Sequence, residues 1–234
     1  IENFKRLIIQ FGSIERVEFC GTIDEPMMHP QFLDIIEFLV SVGIRFSVHT
    51  NASLRNKSDW IKLGKLSRDN GVVNFSIDGF KEEHEFYRQK SNYEKIIENA
   101  QAFLDAGGNA NWQMVVFPWN EHQVEDCKQK SIKMGFENFR VRQDRSNVSE
   151  LGKDAIIEKK KLNLPEPTYH AFKVSPEEET SEIKCNFREK EMYFVSHDSR
   201  LWPCCFLANG FLKQGAQRDI LEKRIYHQYG KDFN

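Results

Sequence analysis

Several absences narrow what this 234-residue chain can be. No apolar run approaches the roughly 20 residues that a membrane-spanning helix requires, and no leader pattern opens the sequence, so no membrane partner is expected and the cytosol is the simplest setting. Neither charge sign dominates: 33 Lys and Arg stand against 35 Asp and Glu, so no basic field is present to concentrate nucleic acid or anionic lipid. Gly-x-Gly-x-x-Gly and Walker patterns are absent; Gly107-Gly108 precedes a strand and reads as a helix stop. Internal repeats and low-complexity tracts are missing too. The chain also lacks an initiating Met, entering at Ile1 a helix already under way, which reads as a fragment or a trimmed chain.

What is there is an alternation. Short β-branched and aromatic runs at residues 17–20, 45–50, 72–77, 113–117 and 138–141 are the expected strands, spaced as βαβ units require. Between them Phe32, Ile35, Ile36, Leu39 and Val40 follow helical spacing, as do Tyr93, Ile96, Ile97, Ala100, Phe103 and Leu104. Pro30 suits a first helical turn, Gly43 a helix end, and Ser58-Asp59 the cap of a helix carrying Trp60. The expected fold class is α/β, a parallel sheet with helices outside, either doubly wound or curled into a barrel.

Beyond about residue 148 the character changes. Residues 149–182 are rich in Lys and Glu, hold three prolines and read as a polar linker; a small module of residues 183–234 follows, with two short strands near 192–195 and 201–202 around the turn at 197–200. Residues 1–148 form the first domain in this division.

Unusual chemistry gathers at three strand ends. The first is the turn Gly21-Thr22-Ile23-Asp24-Glu25-Pro26, the second His49-Thr50-Asn51-Ala52-Ser53, and the third Ser76-Ile77-Asp78-Gly79 followed by His84 and Arg88. Ligands of parallel α/β sheets bind at the C-terminal strand ends. Carbonyls and carboxylates there suit an ammonium group, hydroxyls and amides suit a ribose, and Arg88 suits a carboxylate. Each turn alone also reads as plain punctuation, an Asx-turn or a cap; three in register favour a zwitterionic, ribose-bearing ligand.

The order Phe-Cys-Gly-Thr-Ile-Asp-Glu-Pro-Met-Met-His-Pro, then His-Thr-Asn-Ala-Ser, then Phe-Ser-Ile-Asp-Gly with His84 and Arg88, resembles the radical S-adenosylmethionine (SAM) enzymes, most of all those with a C-terminal SPASM or twitch iron-sulfur module. The resemblance spans residues 10–145 and 183–207. It implies a partial (β/α)6 TIM-like barrel. It implies SAM held by Gly21, Thr22, Asp24 and Glu25 at its amino group, with Thr50, Asn51, Ser76, Asp78 and Arg88 completing the seat. It further implies a [4Fe-4S] cluster that cleaves SAM to a 5′-deoxyadenosyl radical, a peptide or small-molecule substrate, and an electron donor such as flavodoxin or ferredoxin. Thr22-Ile23-Asp24 lengthen the first turn relative to the family's Gly-Gly-Glu-Pro, and Ala52 stands where the family has glycine. The family's Cys-x3-Cys-x2-Cys loop does not occur in this sequence and is expected before Ile1.

Five cysteines, an odd number in so large a chain, do not form a disulfide framework. Cys185, Cys204 and Cys205 crowd the C-terminal fifth and are the metal candidates. The spacing Cys185-x13-Ser199-x4-Cys204 resembles the opening of a SPASM module, which implies an auxiliary iron-sulfur cluster; zinc is the other metal such thiolates take. Adjacent strand residues face opposite ways, so Cys204 and Cys205 are not expected to ligate the same cluster, and the spacing favours Cys204. Cys20 and Cys127 are expected to be buried thiols, and His29 and His49 caps or supporting contacts. Arg142, Asp144 and Arg145, near a strand end, read either as substrate-facing groups or as surface ion pairs. The rival reading is a non-catalytic barrel with a zinc- or iron-sulfur-binding hairpin.

Overall fold

Apolar periodicity and strand alternation are realised in a single order of elements in the computed structural model, which describes residues 1–20, 25–143, 190–195 and 201–202. Helix α1 (Glu2–Phe11) leads into β1 (Arg16–Phe19), and a single 3-10 turn (Pro26–Met28) into α2 (Phe32–Ser41). Then come β2 (Arg45–Thr50), α3 (Lys57–Ser67), β3 (Gly71–Ser76), α4 (Lys81–Tyr87), α5 (Tyr93–Asp105) and β4 (Ala110–Val116). A second 3-10 turn (Glu121–Gln123), α6 (Val124–Met134) and β5 (Asn138–Gln143) complete the run.

The strands pair in parallel in the order β1-β2-β3-β4-β5. Among the described residues the order never reverses, as it must in a doubly wound sheet, so the alternative left open by periodicity resolves to a partial TIM-like barrel. The chain divides into two compact units, Ile1–Lys173 and Val174–Asn234. In the second, β6 (Phe194–Val195) pairs antiparallel with β7 (Leu201–Trp202).

The sheet has two unlike faces. Phe46, Val48, Val73, Phe75, Trp112 and Met114 alternate onto one face, all nearly fully buried, and pack against the helices. Trp60 of α3 and Phe103 of α5 meet Phe75 with ring centroids 5.5 and 5.4 Å apart. Residues one position out of phase form the other face: Arg16, Glu18, Arg45, Ser47, His49, Asn74, Ser76, Asn111, Gln113 and, on β5, Asn138, Arg140 and Arg142, with Val72 and Val115 as its apolar members. Four of these are buried yet polar, and they hydrogen-bond one another across strands. Asn138 Nδ2 donates to Asn111 Oδ1 at 2.9 Å, Asn111 Nδ2 to Asn74 Oδ1 at 3.0 Å, and Asn74 Nδ2 to Ser47 Oγ at 3.2 Å. Gln113 Nε2 also donates to Asn74 Oδ1, at 3.2 Å.

Three local expectations are corrected. Strand β4 begins at Ala110, ahead of the expected 113, because Asn111 finds its partners in Asn74 and Asn138 inside the sheet. Helix α3 is capped by Asn56, whose Oδ1 accepts from Asp59 N at 3.0 Å; Ser58 lies within the first turn and bonds Asn56 instead. Pro30 stands just before α2, where Gln31 is the N-cap, while Pro26 takes the first position of the 3-10 turn.

Helices α3 and α5 cross at Gly64. A Cβ there would lie 2.5 Å from the Phe103 carbonyl oxygen and 2.9 Å from Ala106 Cβ. Gly64→Ala is expected to push the two helices apart and to cost about 2 kcal/mol, read as a lowered urea midpoint with an unchanged m-value.

Candidate functional site

The turns that follow β1, β2 and β3 lie side by side because the strands are sequential neighbours in one parallel sheet. Gly21, Thr22 and Asp24 lie outside the described residues; the account of the first turn begins at Glu25. Its carboxylate joins the first two turns. Oε2 accepts the Asn51 N–H at 2.8 Å, and Oε1 accepts the Met27 N–H at 3.3 Å, capping the 3-10 turn. Arg55 ties the same turns from the other side: its Nε donates to the Met27 carbonyl at 2.8 Å, and its guanidinium also meets the carbonyl of His29.

The second turn is stabilised from within. Thr50 Oγ1 accepts the Ala52 N–H at 2.9 Å, and Asn51 Oδ1 accepts from both the backbone and the hydroxyl of Ser53, at 2.9 and 2.6 Å. Ala52 has φ 56°, a left-handed conformation that costs an alanine about 1 kcal/mol and explains why glycine suits this position. Asn99, buried on α5, donates from Nδ2 to the Ala52 carbonyl at 2.8 Å and holds the turn in place.

The third turn is a clasp around Asp78, whose side chain is 0% exposed. Oδ1 accepts the Val115 N–H at 2.7 Å, linking β3 to β4, and Oδ2 accepts Arg88 Nε at 2.7 Å. Burial pushes the Asp78 carboxyl above its ordinary value, while Arg88 and the Val115 N–H pull against it. Asn120 donates to the carbonyls of Asp78 and Val115, at 3.1 and 3.0 Å, and accepts the Phe117 N–H at 2.7 Å. Gly79 sits at φ 111°, where a Cβ would lie 2.7 Å from Gln123 Oε1, the acceptor of the Phe80 N–H.

His84 completes the clasp. Its Nδ1 accepts the Asp78 N–H at 3.0 Å, which fixes the neutral tautomer with the proton on Nε2. Nε2 is buried and has no hydrogen-bond partner among the described residues. Burial first, and Arg88 second, lower the His84 pKa from 6.5 to about 4. The unfolded chain therefore takes up a proton between these values that the folded chain refuses. The contribution is fully present above pH 6.5 and is lost as pH falls toward 4, about 3 kcal/mol in all. Urea titrations at pH 7 and pH 4.5 are expected to show this loss in the wild type and a shallower one in His84→Asn, whose amide oxygen still accepts the Asp78 N–H.

Thus Glu25, Thr50, Asn51, Asp78 and Arg88, all expected in the site, are brought to one edge of the sheet along with Ser76, which ends β3. Most of their polar atoms are committed to shaping the turns; Thr50 and Asp78 are buried and act through the backbone and through Arg88. Arg55 and Asn120 were not anticipated, and Asn99, noted with Glu98 only as part of the helix that follows Asn92-Tyr93, was given no role.

Cys20 corrects an expectation: it is exposed, because it follows β1 in phase with Glu18 on the polar face, and its thiol bonds the Glu18 carboxylate. Cys127 is buried as expected, and burial pushes its thiol up to about 12. His29 lies at the C-cap of the first 3-10 turn and accepts the Gln31 N–H at Nδ1; His49 pairs with Glu18 at 3.0 Å. Cys185, Cys204, Cys205, Asp144 and Arg145 lie outside the described residues. No helix among the described residues is long and apolar enough to cross a membrane.

The model of the Radical SAM superfamily matches residues 1–130, the stretch that carries all three turns. The chain belongs to the radical SAM superfamily. Among solved structures, SuiB of Streptococcus suis has a TM-score of 0.65 at 16% identity over 99% of this chain and 59% of SuiB. SuiB bound to S-adenosylmethionine gives 0.63 at 17% identity, covering 94% of this chain and 57% of that one. SuiB bound to its precursor peptide SuiA gives 0.63 at 16% identity, covering 99% and 58%. The chain therefore spans about three fifths of the length of SuiB, and at these identities the likeness is one of fold. Compared by sequence with curated proteins, the chain has no significant match.

Proposed function

We propose that this chain carries the SAM seat of a radical SAM enzyme that removes a hydrogen atom from a peptide. The observation that carries the reading is the Glu25–Asn51 bond, which locks the first two turns into one unit beside the Asp78–Arg88 clasp, within the residues that match the family. The donor set fits the cofactor. Glu25 supplies a carboxylate for the ammonium group, alongside Gly21, Thr22 and Asp24. Asn51 and Ser76 supply polar atoms for the ribose, and Arg88, aimed by Asp78, supplies charge for the carboxylate. SAM held there would supply, on one-electron cleavage, a carbon-centred radical.

The protein's share is orientation. Thr50 and Asn99 fix the carbonyls and amides of the second turn, and Asp78, His84 and Asn120 prevent the third from moving when ligand arrives. For the core cluster the residues present do not fit: the five cysteines contain no Cys-x3-Cys-x2-Cys spacing, so no step is derived through it. Cys185, Cys204 and Cys205 suit an auxiliary cluster in a SPASM or twitch module of residues 183–234, joined by the linker 149–182 to a core of residues 1–148. A flavodoxin or ferredoxin suits the electron supply. The peptide substrate is supported by the fold shared with SuiB.

The test is anaerobic reconstitution of the protein from its complete reading frame with iron and sulfide, followed by dithionite and SAM. Release of methionine and 5′-deoxyadenosine is the expected result. SAM that neither binds nor is cleaved overturns the reading in favour of a non-catalytic barrel.

A further inference from the structure

Phe139 and Val141 of β5 pack against the core, so Arg140 and Arg142 between and after them are turned to the polar face, where both are exposed. Register fixes their level on that face. Arg140 is opposite Gln113, which is itself opposite Ser76, and Arg142 is opposite Val115, whose N–H is held by Asp78. Both arginines therefore stand at the C-terminal rim, level with the third turn. Two strand intervals separate Arg140 from Ser76, so their Cα atoms are no more than about 10 Å apart however the sheet curves. The other arginines of this face, Arg16 and Arg45, are the first residues of β1 and β2 and stand at the opposite rim, where Arg45 pairs with Glu15 at 3.8 Å.

Among the described residues neither Arg140 nor Arg142 enters an ion pair. Glu18 is the carboxylate that the described strands place on this face. It stands farther down, opposite Ser47, and is committed to His49 at 3.0 Å and to the Cys20 thiol. Asp78 is fully buried, with one oxygen taken by the Val115 N–H and the other by Arg88. The two arginines share one strand face two residues apart, with Cα atoms about 7 Å from one another, so their charges repel unless an anion lies between them. SAM does not relieve that repulsion: with a sulfonium, an ammonium and a single carboxylate it brings net positive charge, and Arg88 suits the carboxylate. An anionic group on the substrate does.

We propose that Arg140 and Arg142 form a carboxylate-binding subsite for the substrate: a carboxylate of the peptide lies between the two guanidinium groups and holds the peptide beside the SAM seat. This rests on the reading of the chain as a peptide-modifying radical SAM enzyme and adds to it the class of peptide taken, one that carries an acidic group. Arginine presents a planar fork of N–H donors that matches the two oxygens of a carboxylate. Because the bound carboxylate also offsets the charge that SAM brings, SAM and the acidic peptide are expected to tighten each other's binding by the same factor. Both arginines bind and orient; no proton or electron passes through them.

The test uses the protein expressed from its complete reading frame and pools of fluorescent hexapeptides, each with one fixed position and the others degenerate among uncharged residues. Three pools, acetylated and amidated at their ends, carry Glu, Gln or Lys at the fixed position. A fourth carries Gln and a free C-terminal carboxylate, which separates a side-chain source of the anion from a terminal one. Anisotropy at low salt is expected to show the Glu pool, the free-carboxylate pool or both binding about tenfold tighter than the capped Gln pool, with the advantage shrinking at high salt. The pair Arg140→Gln and Arg142→Gln is expected to remove the advantage while SAM affinity, read by calorimetry on the same sample, is kept or raised. Equal binding of the four pools to the wild type overturns the proposal, with no variant needed. An undiminished preference in a doubly substituted protein that unfolds at the wild-type temperature overturns it too. So does a tenfold loss of SAM affinity in that protein, which would place the arginines in the cofactor seat. Bound SAM with no carboxylate preference sinks the subsite and leaves the cofactor seat standing, whereas a carboxylate preference without SAM binding supports the subsite and sinks the seat.

Discussion

Asp78→Ala is expected to lower stability by about 3–5 kcal/mol, the largest effect of any single substitution in the site. The carboxylate is fully buried and each oxygen has one partner: the Val115 N–H at 2.7 Å and Arg88 Nε at 2.7 Å. Truncation leaves a largely buried guanidinium without its counter-charge and a β4 amide without an acceptor, so two desolvation costs are incurred at once. Asp78→Asn keeps the shape and one acceptor oxygen, and is expected to cost about 1–2 kcal/mol less than the alanine. Urea unfolding at pH 7 measures both. An alanine variant within about 1 kcal/mol of the wild type would show that the cost of burying the carboxyl, visible in its raised pKa, cancels what the pair contributes.

The contrast between Asp78 and Arg55 shows what a sequence reveals and what it hides. Strands, helices and their order follow from apolar spacing that any one segment carries by itself, so the α/β alternation of residues 1–143 was legible. The second and third turns were legible for the same reason: each is a contiguous run of polar and small residues whose chemistry is local. Arg55, Asn99 and Asn120 act differently, donating to carbonyls 28, 47 and 42 residues away in the chain. Nothing in their own neighbourhoods marks them except that Asn99 interrupts the apolar face of α5. The polar face of the sheet was hidden by the same logic. Asn74, Asn111 and Gln113 look like breaks in hydrophobic strands until register sets them opposite one another, which is why the start of β4 was misplaced. Cys20 was misjudged because its type favours burial while its phase, set by Glu18, leads to the polar face.

Glu25→Ala is expected to weaken SAM binding about a hundredfold while lowering stability by only about 1–2 kcal/mol. The stability loss is that of two part-buried hydrogen bonds: the Asn51 N–H at 2.8 Å and the Met27 N–H at 3.3 Å both lose their acceptor. The binding loss is larger because two effects add in the seat proposed here. The negative charge that would meet the ammonium group disappears, and the turns after β1 and β2, no longer joined, must be ordered by the ligand itself. Glu25→Gln separates the two. Its amide oxygen can still accept the Asn51 N–H and hold the turns together, but the charge is gone and the Met27 N–H loses its acceptor, so affinity is expected to fall about tenfold with stability lowered by only about 0.5–1 kcal/mol. Calorimetric titration with SAM, run beside thermal unfolding of both variants, gives the comparison. Glutamine that binds SAM as tightly as glutamate would reduce Glu25 to a structural link between turns and move the ammonium contact onto the neighbouring backbone.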